Sequence, residues 1–111
     1  MEEFMARTLM VQAKDNSQRV DVQIFPPKAG KSSWECAWQI KWPDRTRANS
    51  AHGVDSAQAL LHAMQMVGSE LYTSQEHRSG HLTWREGYTG YGFPVPVQIR
   101  DLLLRDDARF L

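Results

Sequence analysis

From residue 34 to 42 the chain reads WECAWQIKW, and apolar and polar positions alternate without a break. Trp34, Cys36, Trp38, Ile40 and Trp42 point one way; Glu35, Ala37, Gln39 and Lys41 point the other. Side chains of a strand change faces at every residue, so this period of two predicts a strand with one apolar and one mostly wet face. A first strand is expected over residues 6–13, followed by the polar turn KDNSQ at 14–18. A second strand over 19–25 places Val20, Val22 and Ile24 on one face. Pro26 and Pro27 stop it, because proline cannot donate to a ladder. KAGKSS, residues 28–33, reads as a connector, and Pro43-Asp44 ends the tryptophan strand. Three strands with short connections favour an antiparallel meander.

Residues 45–53 read as irregular. The period then becomes helical. Asp55 has the chemistry of an N-cap, with Gln58 three residues on as a capping-box partner and Val54 before it as a hydrophobic staple. In SAQALLHAMQMVGSELYTS, Ala57, Leu60, Leu61, Met64, Val67 and Leu71 form one stripe, with Gln58, His62, Gln65, Ser69 and Thr73 opposite. Gly68 interrupts this helix and marks a candidate site of close approach. HLTW, residues 81–84, reads as a short strand. Residues 87–96, GYTGYGFPVP, read as a loop, and QIRDLLLRD as a short helix that packs through Ile99, Leu102 and Leu103, with Leu104 at its edge. The expected fold is α+β: an antiparallel sheet of about four strands in β-β-β-α-β order on one long helix, with a short C-terminal helix, in a single domain over 1–111.

One difficulty follows from volume. A helix of about 18 residues is roughly 27 Å long and can cover the middle of a four-stranded sheet. Three tryptophans on one strand are too wide to fit easily beneath a stripe of Leu, Met and Val. At least one of Trp34, Trp38 and Trp42 is expected to extend beyond the helix and meet the C-terminal segment, a second subunit or a ligand.

Composition narrows the functional classes. Thirteen basic residues balance thirteen acidic ones, so no overall positive field draws the chain to nucleic acid. Arg45 and Arg47 with Lys41 form only a weak local patch. One cysteine, Cys36, excludes an internal disulfide and fits a reducing compartment. The start, MEEFMARTLM, lacks a signal-peptide pattern, and the longest apolar runs fall far short of the roughly 20 residues of a membrane span. A cytoplasmic location and no membrane partner are expected.

No catalytic or metal-binding pattern emerges. His77 and His81 are separated by Ser79-Gly80, His52 and His62 flank or face away from the helix stripe, and neither a cysteine pair nor HExxH accompanies them. Asp101, Asp106, Asp107, Glu70 and Glu76 show no distinctive partner. The glycines at 87, 90 and 92 lack the lysine and helix of a phosphate loop. No cofactor is expected. Tyr88, Tyr91 and Phe93 either stack on a ligand or fold back over the core.

The segment HGVDSAQALLHAMQMVGSELY, followed by HLTW and GYGFP, resembles a family of small bacterial proteins of unknown function, in which a GxDSxQAL-type helix precedes a short strand and a GFP-like turn. The likeness extends over most of the chain, including WECAWQI, and implies a fold but no activity. GVDSAQAL is also similar to the helix opening of truncated ribonuclease-H-like antitoxin domains. The chain departs from them: there is no recognisable DNA-binding extension, and the carboxylates of a true ribonuclease H are not visible on the first strand. The leading expectation is a non-enzymatic protein-interaction module, binding a protein partner or itself as a homodimer. The candidate contacts are Trp34, Trp38, Trp42, Arg45, Arg47, Tyr88, Tyr91 and Phe93. A nucleic-acid-binding or antitoxin-like regulatory module comes second, and a small hydrolase or nuclease third.

Overall fold

The tryptophan strand lies inside the sheet. In the structure, a computed structural model describing residues 4–111, β4 (Trp34–Lys41) pairs along its length with β5 (Thr46–Gly53). Its other side meets β2 (Ser17–Ile24) at residues 38–41 and the two-residue β3 (Lys28–Ala29) at residues 34–35. The expected connector thus touches the sheet again beyond the Pro26-Pro27 break. β1 (Met5–Gln12) flanks β2, and β6 (Leu82–Thr83) pairs with Met10 and Val11. All pairings are antiparallel. A long helix, α1 (Ser56–Tyr72), packs on β4 and β5; α2 (Gln75–Arg78), a 3-10 helix (Val97–Leu102) and α3 (Arg105–Phe110) follow. The architecture is α+β, with an antiparallel sheet against one long helix and a short C-terminal helix.

Three local expectations need correction. The first concerns residues 45–53, which contain a full strand. TRANSAHG carries no apolar alternation because β5 is a border strand over which few large side chains are needed. Its free edge is partly blunted from within: Asn49 Oδ1 accepts from the Ser50 amide at 2.8 Å, and His62 Nδ1 donates to the His52 carbonyl at 2.7 Å. Side chains that occupy edge groups hinder pairing with another chain. Second, the tail is two elements. The chain leaves the 3-10 helix at Leu103 and re-enters a helix after Leu104, so Leu103 and Leu104 turn toward the core while Leu102 is left outside. Third, Asp55 does cap α1, accepting from the Gln58 amide at 2.8 Å, but Val54 is 81% exposed and forms no staple. Gln58 reaches back to the Val54 amide instead.

The buried stripe of α1 resolves the volume problem. Its fully covered residues are Ala59, Ala63, Val67, Gly68, Leu71 and Tyr72. The helix is rotated relative to the expected stripe: Ala57 is exposed and Leu61 is 48% exposed. Small residues near its start let the axis come close to a face that already carries Cys36, Trp38, Ile40 and Trp42. Trp38 and Trp42 are 2% and 5% exposed within this one chain. Their indole N–H groups find no acceptor among the described residues, so the rings are placed for volume and not for hydrogen bonding.

Gly68 is a site of close approach, although its neighbour is the loop beyond β6 and not the sheet. A Cβ there would stand 1.9 Å from the Pro94 carbonyl oxygen. In an open helix Gly→Ala stabilises by about 1 kcal/mol. Here the sign reverses: Gly68→Ala is expected to destabilise by about 1–3 kcal/mol through overpacking, read as a lower midpoint in urea unfolding. A gain in stability would show that the loop does not pack there.

Candidate functional site

Two places in the fold concentrate polar chemistry: a buried carboxylate beneath the glycine-rich loop, and the sheet face that carries no helix.

Asp107 lies in the first turn of α3 and is fully buried. Its side chain accepts from the Tyr72 hydroxyl, from the Tyr88 hydroxyl at 2.7 Å, and from the amides of Tyr91 and Gly92, each at 2.8 Å. The Tyr72 hydroxyl in turn accepts from the Leu104 amide at 3.1 Å. Asp106 adds an exchange with Thr89, its carboxylate accepting from the Thr89 amide and its own amide donating to the Thr89 carbonyl. Gly90 makes this possible. Its φ of 129° belongs to glycine, and a Cβ there would meet the Asp107 carboxyl carbon at 2.5 Å. Arg7 holds the same loop from the sheet side. It donates to the carbonyls of Tyr91 and Gly92 at 3.0 and 2.9 Å, and lies 3.9 Å from the centre of the Trp84 ring.

This cluster clamps the fold. Tyr91 and Phe93 are buried, and the Tyr91 hydroxyl rests 2.5 Å from His77 Nδ1. Burial, and then the charge of Arg78, lower the His77 pKa. Burial raises the Tyr72 and Tyr91 phenols, with Asp107 adding to both. The nearest cleft, lined by Met5, Arg7, Val22, Ile24, Met64 and Phe93, is about 80 Å³, well below the roughly 300 Å³ at which small-molecule sites begin. Among the described residues no group of three or more His, Cys, Asp and Glu is arranged to hold a metal ion.

The structure separates the expected contact residues. Trp38, Trp42, Tyr91 and Phe93 belong to the core; Trp34 packs partly against it, and Tyr88 is half-buried over Trp84 and Asp107. Arg45 stacks 4.4 Å from the Trp42 ring centre and forks onto Glu76 at 2.9 and 3.1 Å. That fork holds the Glu76 carboxyl below its usual pKa and raises the guanidinium's own. Arg47 forks onto Glu70 at 2.9 and 3.3 Å. Glu70 and Glu76, expected to lack distinctive partners, therefore have them, and both arginines spend their planar donors on carboxylates of the same chain. Asp107 was not singled out in the sequence because its four donors come from residues 15–35 positions away. A locally visible hint was an acidic pair opening a helix just after LLL.

On the uncovered face, cross-strand partners share a side, so the registers can be read as rows. One row runs Ala6, Gln23, Gln39, Ala48; the next runs through Phe25, Ala37 and Ser50. Gln39 donates to Gln23 at 2.5 Å. These two rows hold no charged residue. Asp21 and Lys41 pair on one side of them, Lys28 and Glu35 on the other. A shallow depression of about 410 Å³ opens among Phe25, Ala37, Gln39, Ala48 and Ser50.

The clamp yields two expectations. Asp107→Ala leaves four donors without their acceptor and should destabilise by about 3 kcal/mol or more, with faster hydrogen exchange at the Tyr91 and Gly92 amides; wild-type exchange in the variant would show that the clamp is dispensable. The second is an alkaline limit. Burial, then the bond to Asp107, push the Tyr88 phenol from 10.0 up to about 12. A raised native pKa means that the unfolded chain ionises first. This stabilisation is whole below pH 10 and is lost as pH rises toward about 12. Phenolate absorbance and loss of structure should therefore rise together in that window, and Tyr88→Phe should remove part of the dependence.

Comparison with known proteins adds a family. No curated protein and no solved structure matches. A family model described as a domain of unknown function (DUF6968) matches residues 5–95, and the chain belongs to that family.

Proposed function

We propose that this protein is a non-enzymatic interaction module whose binding surface is the uncovered face of the sheet. One observation carries the reading: the charge-free band of Ala6, Gln23, Gln39, Ala48, Phe25, Ala37 and Ser50, which crosses four strands between charged borders. An antiparallel sheet can leave one face in water, and then its outward positions are ordinarily polar and charged. Here the centre is uncharged and only shallowly hollowed, while charges are confined to its rim. That distribution matches the anatomy of a protein–protein contact, with a dehydrated centre and a polar border.

The tryptophan face lends this role less support, since Trp38 and Trp42 are covered within the chain, while Trp34 stays partly exposed. The nucleic-acid reading loses support for a similar reason: Arg45 and Arg47 are neutralised by Glu76 and Glu70. No helix among the described residues is long and apolar enough to cross a membrane.

Ala37→Arg places a charge in the middle of the band without touching the core. It should weaken binding to a protein partner by about tenfold or more, the equivalent of roughly 1.4 kcal/mol, and leave the thermal midpoint nearly unchanged. Affinity capture from the source cell with wild type and variant side by side tests this. Equal capture of the same protein by both would refute the assignment of the face. A generic oligonucleotide bound with steep salt dependence would restore the nucleic-acid reading in its place.

A further inference from the structure

We infer that the occupant of this face is a second copy of the chain, packed sheet to sheet about a two-fold axis that runs parallel to the strands between β2 and β4. The inference rests on the proposed binding role of the face and adds the identity and orientation of the partner.

The face is self-complementary. A two-fold dimer brings the same patch against itself, so each feature must face its own complement. An axis along the strands superposes the β2 line of one copy on the β4 line of the other within each row. Asp21 then faces Lys41 of the other copy, and Lys28 faces Glu35. Both contacts join opposite charges, and the symmetry repeats each one. The shapes agree as well. Phe25, the bulkiest residue of the uncharged rows, is brought over Ala37, beside the hollow bordered by Ala48 and Ser50. In the row above, Gln23 meets Gln39, a pair able to exchange amide hydrogen bonds. Phe4, 53% exposed, follows the same ladder through its amide to Ile24 and falls toward Ser50. Arg19 sits one row outside, bound to Asp21 at 3.1 Å on the exposed border, and Glu35 has His52 at 3.7 Å. Exposed pairs of this kind are weak and can be shared with a partner.

Aligned sheets pack in this way in sandwiches, about 10 Å apart. Four strands about 4.8 Å apart over seven residues give a flat footprint of roughly 450 Å². This is smaller than the about 800 Å² per partner of a standard interface, so the dimer should be a reversible one.

Sedimentation equilibrium over a wide concentration range tests the association. The expected result is a monomer–dimer equilibrium that Ala37→Arg and, independently, Ser50→Arg shift at least tenfold toward monomer while circular dichroism stays unchanged. Lys41→Glu should weaken association by about tenfold through like-charge contact with Asp21, and Asp21→Lys in the same chain should restore it. Orientation is read by mixing Phe25→Cys protein with Ala37→Cys protein and adding a short bis-maleimide, whose reach suits sheets about 10 Å apart where a direct disulfide would not; a mixed cross-linked dimer is expected, and the native Cys36 is buried. A monomer at every concentration overturns the inference. So does a dimer indifferent to both arginine variants, or one whose Phe25→Cys and Ala37→Cys chains fail to cross-link. The broader reading fails separately: a monomer that still captures a protein through an Ala37-dependent contact keeps the interaction face and loses only self-association.

Discussion

The fold depends on where the volume of the tryptophan strand goes. Trp38 and Trp42, with Cys36 and Ile40 between and beside them, fill one face of an inner strand, and their indole N–H groups give no polar return for burial. A helix carrying large residues over that face would stand too far off to exclude water. α1 instead directs Ala59 and Ala63 inward and sends Ala57 and Leu61 outward. Bulk on the strand is matched by smallness on the helix, as dense interiors require. The rest of the cover follows from the helix position. Because α1 sits over β4 and β5, the β1–β2 half of the same face remains to be closed, and the loop after β6 does so with Tyr91, Phe93 and Val95.

A loop of this length does not hold itself in place. Its backbone takes positive φ at three glycines, Gly87, Gly90 and Gly92, and its carbonyls and amides need partners on the inside of the molecule. Asp107 supplies acceptors and Arg7 supplies donors, from opposite ends of the chain. The carboxylate therefore joins the end of α1, through Tyr72, to the loop and to α3. The Gly68 approach to Pro94 completes the attachment from the helix side. These polar contacts act on geometry: they fix where three aromatic rings are buried, and a half-satisfied version of the cluster would be costly.

What could be read from sequence followed from periodicity. The alternation at Val20, Val22 and Ile24 and at Trp34 to Trp42 placed two strands on the correct face, and Asp55 marked the helix start. β5 escaped because TRANSAHG has no apolar period; its strand state comes from eight pairings with β4. The helix stripe is rotated from the expected one because Leu61 is more apolar than Gly68, while Ala57 and Ala59 cannot be told apart by hydrophobicity. Size, and not hydrophobicity alone, decides which side can approach a tryptophan. The clamp at Asp107 was hidden because its donors are dispersed and two of them are backbone amides. Among the expected contact residues, the bulk that makes an aromatic ring suited to recognition also drives Trp38, Trp42, Tyr91 and Phe93 inward.

The proposed interaction surface therefore lies on the face opposite the tryptophans. The chain's own helix and loop cover Trp38 and Trp42, and of the three rings on that side Trp34 alone stays partly exposed. On the other side, Ala37 and Gln39 occupy alternate positions of the same strand and looked like ordinary wet-face residues. Their meaning comes from register. Pairing sets Ala37 beside Phe25 and Ser50, and Gln39 beside Gln23 and Ala48, so that residues unremarkable in each strand add up to an uncharged band. Charges appear one row away in both directions, with opposite signs alternating between β2 or β3 and β4. Such a pattern cannot be found in any single strand, because it is a property of the sheet; and an alternating square of charges around a neutral centre is attractive to its own mirror arrangement, which a two-fold axis in the plane of contact provides.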